Sequence, residues 1–119
     1  MTEPIRSFDE AVAFALTLPD TVLSTSYGKP AVKVASNGRA FLYTGHEQEG
    51  SFGVAIDLDS VEILKETDPD TFWQSPHYEG WPAVLIRFDS ADPDRVRSVI
   101  ERSRDWTAAK PAPRARKKK

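Results

Sequence analysis

One dipeptide, Asn37-Gly38, constrains the fold more than any other short segment of this chain. Asn-Gly suits a two-residue type I′ turn, because both central residues of that turn adopt positive φ. β-Branched and aromatic residues lie on both sides of the dipeptide, which is typical of a β-hairpin. A two-residue turn fixes the register of that hairpin. It predicts three pairs: Ser36 with Arg39, Val34 with Phe41, and Val32 with Tyr43.

The two faces of this hairpin differ in composition. The face that carries the valines and aromatics is assigned to the core. The opposite face is small and partly polar, and we expect at least part of it to be exposed. Its members are Ala31, Lys33, Ala35, Ala40, Leu42 and Thr44, with Lys33 opposite Leu42.

The rest of the chain alternates between helical and strand periodicities. Apolar residues recur at helical spacing in residues 7–18, 60–67 and 92–106, and strand-like runs occupy residues 21–27, 52–56, 72–75 and 83–88. The predicted order is α-β-β-β-β-α-β-β-α. We therefore predict a single α+β domain, an antiparallel sheet with helices on one side.

Helix caps mark the predicted helix starts. Ser7 with Glu10 has the capping-box pattern, and Asp92 followed by Pro93 begins the last helix. Asp59 is the predicted N-cap of the second helix, with Leu58 and Ile63 as a hydrophobic staple across it. In the last helix we predict a buried stripe, listed as Val96, Val99, Ile100 and Trp106.

Composition excludes several kinds of site. The chain has 119 residues and no cysteine, which suits one domain and removes disulfides, zinc–thiolate sites and thiol catalysis. The N-terminus lacks the apolar core of a signal peptide, and no apolar run reaches the length of a membrane span. We expect a cytoplasmic, non-membrane protein, monomeric by default.

Charge is distributed unevenly along the chain. Six of the 16 basic residues lie in the last ten positions, which leaves ten basic against 18 acidic residues, a net charge of −8, over residues 1–109. We predict a folded domain over residues 1–109 and a disordered basic tail over residues 110–119. An acidic body repels phosphate at long range, whereas a basic tail attracts it.

No catalytic or metal-binding motif stands out. His46 with Glu47 and Glu49 is better explained as a polar loop than as a ligand set, and the aspartates near residues 57–70 do not match a calcium loop. The chain has neither a P-loop nor a nucleophile elbow around its serines. We expect no enzyme activity, no metal and no cofactor.

Two segments resemble the MmcQ/YjbR family. Residues 27–43, YGKPAVKVASNGRAFLY, are similar to its first hairpin, and residues 76–88, PHYEGWPAVLIRF, to its later signature. The stretches IDLDSVEIL and DPDTF lie where that family has its second helix, so the resemblance spans about residues 7–108. The resemblance implies a compact α+β fold similar to the CyaY/frataxin arrangement. It also implies a DNA-binding role, with two hairpin wings as contact elements.

The resemblance directs attention to the cations of the sheet and tail. Lys29 and Lys33 share strand parity, Arg39 lies at the hairpin tip, and Arg87 has the parity of Ala83 and Leu85. An ordinary solvated face is the alternative. The tail contributes Lys110, Arg114, Arg116, Lys117, Lys118 and Lys119. It would supply non-specific attraction to DNA, or else serve as a solubilising terminus or contact the acidic body.

A second hypothesis is a small-molecule or protein-binding module. An aromatic pocket near Tyr27, His77, Tyr78 and Trp81 would hold the ligand. The simpler interpretation is a tight turn whose aromatic residues complete the core, since a histidine needs a positioned partner to do chemistry.

Overall fold

Six strands form one antiparallel sheet, and three helices pack against one of its faces. The computed structural model describes residues 3–26, 28–44, 50–76 and 78–111. The strands are β1 (Thr21–Ser26), β2 (Lys29–Val34), β3 (Ala40–Tyr43), β4 (Ser51–Ala55), β5 (Phe72–Trp73) and β6 (Ala83–Arg87). The helices are α1 (Phe8–Ala15), α2 (Leu58–Thr67) and α3 (Pro93–Ala108). The predicted fold class and element order are confirmed.

The strand order is β1-β2-β3-β4-β6-β5, so β1 and β5 form the two edges of the sheet. Strand pairing places Val32, Leu42, Val54 and Val84 in one row across the sheet. This row faces the helices and lies in the main hydrophobic core, which includes Val61, Leu64, Val96, Val99 and Ile100. Side chains alternate between faces along a strand, so the neighbouring residues point away from the helices. We call that second surface the outer face.

The predicted register of the β2–β3 hairpin is wrong. Val32 pairs with Leu42 and Lys33 pairs with Ala40, with a β-bulge between them. Phe41 is the extra residue, so Phe41 and Leu42 are both fully buried in the core although they are consecutive. Leu42 therefore belongs to the core and not to the outer face.

The turn of this hairpin explains the error. Gly38 donates its N–H to the Val34 carbonyl, and Val34 N–H donates to the Arg39 carbonyl, so four residues form the connection. Gly38 has a φ of 74°, whereas Asn37 has no positive φ, which rules out a type I′ turn. The Asn37 side chain binds the end of α3 instead, a contact that no local pattern predicts.

Helix α2 begins earlier than predicted, and its N-cap is Asp57, not Asp59. The Asp57 carboxylate accepts the Ser60 N–H at 3.0 Å and the Ser60 hydroxyl at 2.7 Å. The staple positions consequently become Ile56 and Val61, and both are buried. Leu58 and Ile63, the predicted staple, are 41% and 55% exposed.

The caps of α1 and α3 agree with the sequence, with two differences of detail. Ser7 Oγ accepts the Glu10 N–H at 3.2 Å, but the Glu10 carboxylate accepts from the N–H of Arg6 and not of Ser7. Asp92 caps α3 ahead of Pro93, and Val96, Val99 and Ile100 are buried as predicted. Trp106 is only partly buried, because Ser103 and Thr107 occupy the buried positions of that turn.

Candidate nucleic-acid interface

The six strands carry three cations and no acidic residue. Lys29, Lys33 and Arg87 are the cations. The Asp and Glu residues that the structure describes lie in helices, their caps and the loops. Although residues 1–109 are acidic overall, the strands in the described part of the chain therefore carry only positive charges.

These three cations share the outer face. Ala31, Tyr43, Gly53, Leu85 and Trp73 form the central row of that face. Lys29 and Lys33 each lie two residues from Ala31, and Arg87 lies two residues from Leu85, so all three have outer-face parity. The parity predicted from sequence for these residues is confirmed.

Lys29 and Arg87 lie at the same end of the outer face. Ser51 pairs with Arg87, and Lys29 lies at the equivalent level of β2, three strand steps or about 14 Å away. Both side chains are exposed, whereas Lys33 is half-buried and lies towards the opposite end of β2. The arrangement is a short basic row with one more cation set back from it.

Aromatic stacking holds the Arg87 guanidinium in place. Its Cζ lies 4.8 Å from the centre of the Trp73 ring, and its Nη1 donates to the Pro69 carbonyl at 3.3 Å. Trp73 Nε1 donates to Ser51 Oγ at 3.0 Å, which fixes the orientation of the ring. A guanidinium has five N–H donors, so one that is oriented in this way retains donors for an anion.

The middle of the outer face is covered. Ala31, Ala83 and Leu85 have outer-face parity yet are at most 8% exposed. Burial raises the pKa of the Tyr43 hydroxyl well above its usual range, and the nearby Tyr78 raises it further. The expectation of a partly exposed face therefore applies to its rim, where the charged side chains are.

The turn between β5 and β6 is fixed by Gln74. Its Nε2 lies within 2.8–3.1 Å of the carbonyl oxygens of Tyr78, Trp81 and Ala83, and its Oε1 accepts from Lys65 Nζ at 2.9 Å. This side chain joins the turn to α2. No sequence motif indicated that role for Gln74.

Arg39 does not join the other cations. Its Nε donates to the Pro111 carbonyl at 2.7 Å, at the end of β2 that is remote from Lys29. Next to it, Asn37 Nδ2 donates to the carbonyls of Thr107 at 2.9 Å and Lys110 at 3.0 Å. Arg39 therefore makes a structural contact to the C-terminus, and its place among the DNA contacts stays a prediction.

Lys110 and Pro111 both contact the domain. The Lys110 N–H donates to the Thr107 carbonyl, and its ammonium lies 4.0 Å from the centre of the Trp106 ring. The predicted tail residues Arg114, Arg116, Lys117, Lys118 and Lys119 lie outside the described residues, and the prediction of disorder there stays a prediction.

The alternative aromatic pocket is only half described. Tyr27 and His77 lie outside the described residues. Tyr78 is half-buried and approaches Tyr43, while Trp81 is 63% exposed. Their turn has internal backbone hydrogen bonds, as the simpler interpretation predicted, but the exposed Trp81 does not complete the core.

Within residues 3–26, 28–44, 50–76 and 78–111, no three His, Asp or Glu side chains converge as metal ligands. The segment with His46, Glu47 and Glu49 lies outside those ranges. None of the described helices has both the length and the apolar character to cross a membrane.

The order of the elements and the surface charges can be compared with those of a known protein family. The YjbR family model matches residues 16–106, about three quarters of the chain. The chain belongs to the YjbR family. The match includes the β2–β3 hairpin, the β5–β6 turn and all three cations of the YjbR sheet, and it ends before Lys110.

Compared with curated proteins and with solved structures, the chain has no significant match. The likeness to the CyaY/frataxin arrangement therefore stays a prediction. The DNA-binding role implied by the resemblance likewise stays a prediction.

Proposed function

We propose that this YjbR protein is a non-enzymatic DNA-binding protein that contacts phosphates. Lys29, Arg87 and Lys33 on the outer face make the contacts, and the cations of the C-terminal tail add to them. Lysine and arginine that neutralise phosphates give non-specific, salt-sensitive affinity. The proposal involves no readout of base edges, because the three cations of the outer face lie on a six-stranded sheet and not on a helix that could enter a groove.

The observation that carries this proposal is the segregation of charge by face. The strands have three cations and no acids, whereas helices, caps and loops hold the described acidic residues. A phosphate backbone that approaches the outer face meets positive charge first. Helices α1, with two acids and no base, and α2, with three acids and one base, lie on the other side of the sheet, where their repulsion is weakened by distance and salt. Helix α3 has four arginines against three acids.

The fixed Arg87 guanidinium supports the same role. Stacking on Trp73 and the bond to Pro69 restrict the side chain before any ligand arrives. Less rotamer entropy is then lost on binding than for a mobile lysine. Arginine also pairs with phosphate through two parallel N–H bonds.

A salt titration of duplex binding tests the proposal. We expect affinity to fall steeply with salt in the full chain. The variant Lys29→Gln with Arg87→Gln loses two exposed cations of the outer face. Its plot of log K against log salt should therefore be shallower, with a slope less negative by about 2. The matched control, Arg6→Gln with Arg102→Gln, loses two exposed cations elsewhere and should keep the slope.

The outcomes of this titration separate the face from net charge. Absence of binding at low salt would contradict the proposal as a whole. Equal effects of the two double variants would show that net charge matters and the outer face does not. A chain ending at Pro111 removes the five tail cations beyond it and measures their separate contribution to the slope.

A further inference from the structure

The edge strand β1 is unusually unprotected. β1 is at one end of the strand order, and in the described part of the chain its only strand partner is β2. Its sequence, TVLSTS, contains no charge, proline or glycine. Proteins usually protect such edges with charges, prolines, bulges or short strands, because an open edge can pair with another strand.

Both faces of β1 expose apolar side chains. Val22, on the outer face, is 45% exposed, and Leu23, on the helix side, is 53% exposed. Leu23 is opposite Val32, which is fully buried, so the helical layer ends before it reaches β1. The other edge differs, because β5 has only two residues and Arg87 covers Trp73.

The hydrogen-bonding groups of β1 have a definite direction. The Asp20 carbonyl accepts from Ala35 N–H at 2.8 Å, so Asp20 faces the β2 side of the strand. Bonding groups alternate in direction along an antiparallel strand, so Val22 and Ser24 also face β2. The N–H and C=O groups of Thr21, Leu23 and Thr25 therefore point to the free edge.

We propose that β1 pairs with β1 of a second copy of this chain, in antiparallel orientation and centred on Leu23. The three outward-facing residues are symmetric about Leu23. Leu23 then pairs with Leu23 of the second copy, and Thr21 pairs with Thr25 of the second copy. Each of these pairs exchanges two backbone hydrogen bonds. The two exposed leucines meet on the helix side, which removes both from water.

Charge complementarity favours a second copy as the occupant. Asp20 precedes β1, and Lys29 lies beside its far end as the partner of Ser26. Antiparallel pairing about Leu23 places Asp20 of one copy opposite Ser26 of the other, one strand away from Lys29 of that copy. The same proximity recurs on the other side of the two-fold axis, so each copy supplies one acid and one base to the interface region.

This pairing yields a twelve-stranded sheet with both helical layers on the same side. Paired residues of an antiparallel ladder lie on one face, so the outer faces of the two copies are also continuous. The interface consists of one short strand from each copy. It is small by the standard of stable complexes, so we expect a weak, concentration-dependent dimer.

Sedimentation velocity on the full chain, without nucleic acid, tests the inference independently of DNA binding. Between about 10 μM and about 1 mM, the wild type should shift from monomer to dimer. Leu23→Lys places a charge at the centre of the edge and should stay monomeric. Ile63→Lys is the matched control, because Ile63 is 55% exposed on α2, and it should dimerise like the wild type.

Two results would overturn the inference. A wild type that stays monomeric at about 1 mM excludes self-pairing and leaves β1 to a different polypeptide. A Leu23→Lys variant that dimerises as well as the wild type shows that another surface forms the dimer. Circular dichroism identifies a variant that has failed to fold.

A cysteine cross-link tests the register, since the chain has no cysteine of its own. Directly opposed residues in a hydrogen-bonded antiparallel pair have Cα atoms about 5.5 Å apart, within the range that a disulfide spans. Under mild oxidation, Leu23→Cys should form covalent dimers several times faster than Ile63→Cys. Equal rates would indicate random collision and contradict the proposed pairing.

Discussion

Asn37 does not occupy the type I′ turn position that its sequence context predicted, and its side chain instead bonds to residues at the far end of the chain. Its Nδ2 donates to two carbonyls at the end of α3, and its Oδ1 accepts the Arg39 N–H at 3.0 Å. The side chain is 8% exposed, so these groups are shielded from water. Asn37 therefore has two roles: its Nδ2 binds carbonyls at the C-terminus of α3, and its Oδ1 helps to set the shape of the β2–β3 turn.

Asn37→Ala should reduce the free energy of unfolding by about 2 kcal/mol, because buried carbonyls lose their donor. Urea denaturation measures the loss. Ser36→Ala is the control from the same turn: Ser36 is exposed and donates only to Asp20, so its removal should cost about 0.5 kcal/mol or less. Similar losses for the two variants would refute the structural role of Asn37.

Helix α2 illustrates at the element scale how a cap is chosen. Burial acts to raise the pKa of Asp57, but hydrogen bonds from Ser60 and the charge of Arg102 outweigh it, so the pKa is lowered overall. Asp59, the alternative cap, has no cap bond in the structure. The cap that keeps Ile56, Val61 and Leu64 in the core is the one that forms.

Asp57→Ala should destabilise the protein by about 1 kcal/mol at neutral pH, whereas Asp59→Ala should cost only a few tenths. The lowered pKa means that the Asp57 contribution is present above the unfolded pKa of about 4 and is lost as pH falls through the folded value. The difference in free energy of unfolding between the wild type and Asp57→Ala should therefore become smaller below about pH 4. Urea denaturation of the three proteins at pH 7 and pH 3 measures both the cost of each substitution and its pH dependence. A difference between the wild type and Asp57→Ala that is the same at both pH values would contradict the predicted pH dependence.

At the scale of the whole molecule, the contacts of the C-terminus extend the domain beyond α3. Arg39 and Asn37 bind the carbonyls of Pro111 and Lys110, and the Lys110 ammonium stacks on Trp106. The predicted boundary after residue 109 would divide this set of contacts. The prediction that residues 110–119 behave as one segment is therefore open to a direct test.

A chain truncated after Pro111 should keep the melting temperature of the full chain. A chain truncated after Ala109 loses the four contacts of Lys110 and Pro111 and should melt several degrees lower, since about 1 kcal/mol shifts Tm by roughly 4–8 °C in a domain of this size. Thermal unfolding followed by circular dichroism compares the two. Equal melting temperatures would place the boundary at residue 109 after all.

The sequence predicted which strand cations of the candidate interface share a face, but it did not predict their contacts with distant residues. Lys29, Lys33 and Arg87 have outer-face parity because strand alternation is a local property that the sequence displays. The contact of Arg39 was not predicted, because its partner, Pro111, is 72 residues away along the chain. The Trp73–Arg87 stack was missed for a related reason, since it depends on the β5–β6 pairing and not on spacing within either strand.

The amino-acid sequence by itself determined the element order, the helix starts at Ser7 and Asp92, the family and the uneven distribution of charge. Each depends on neighbours within a few residues or on composition. The tertiary structure decided the bulge at Phe41, the cap at Asp57, the contacts of Arg39 and the open edge of β1. Each of these depends on packing between distant segments, where burial of apolar side chains and satisfaction of buried polar groups outweigh local propensity.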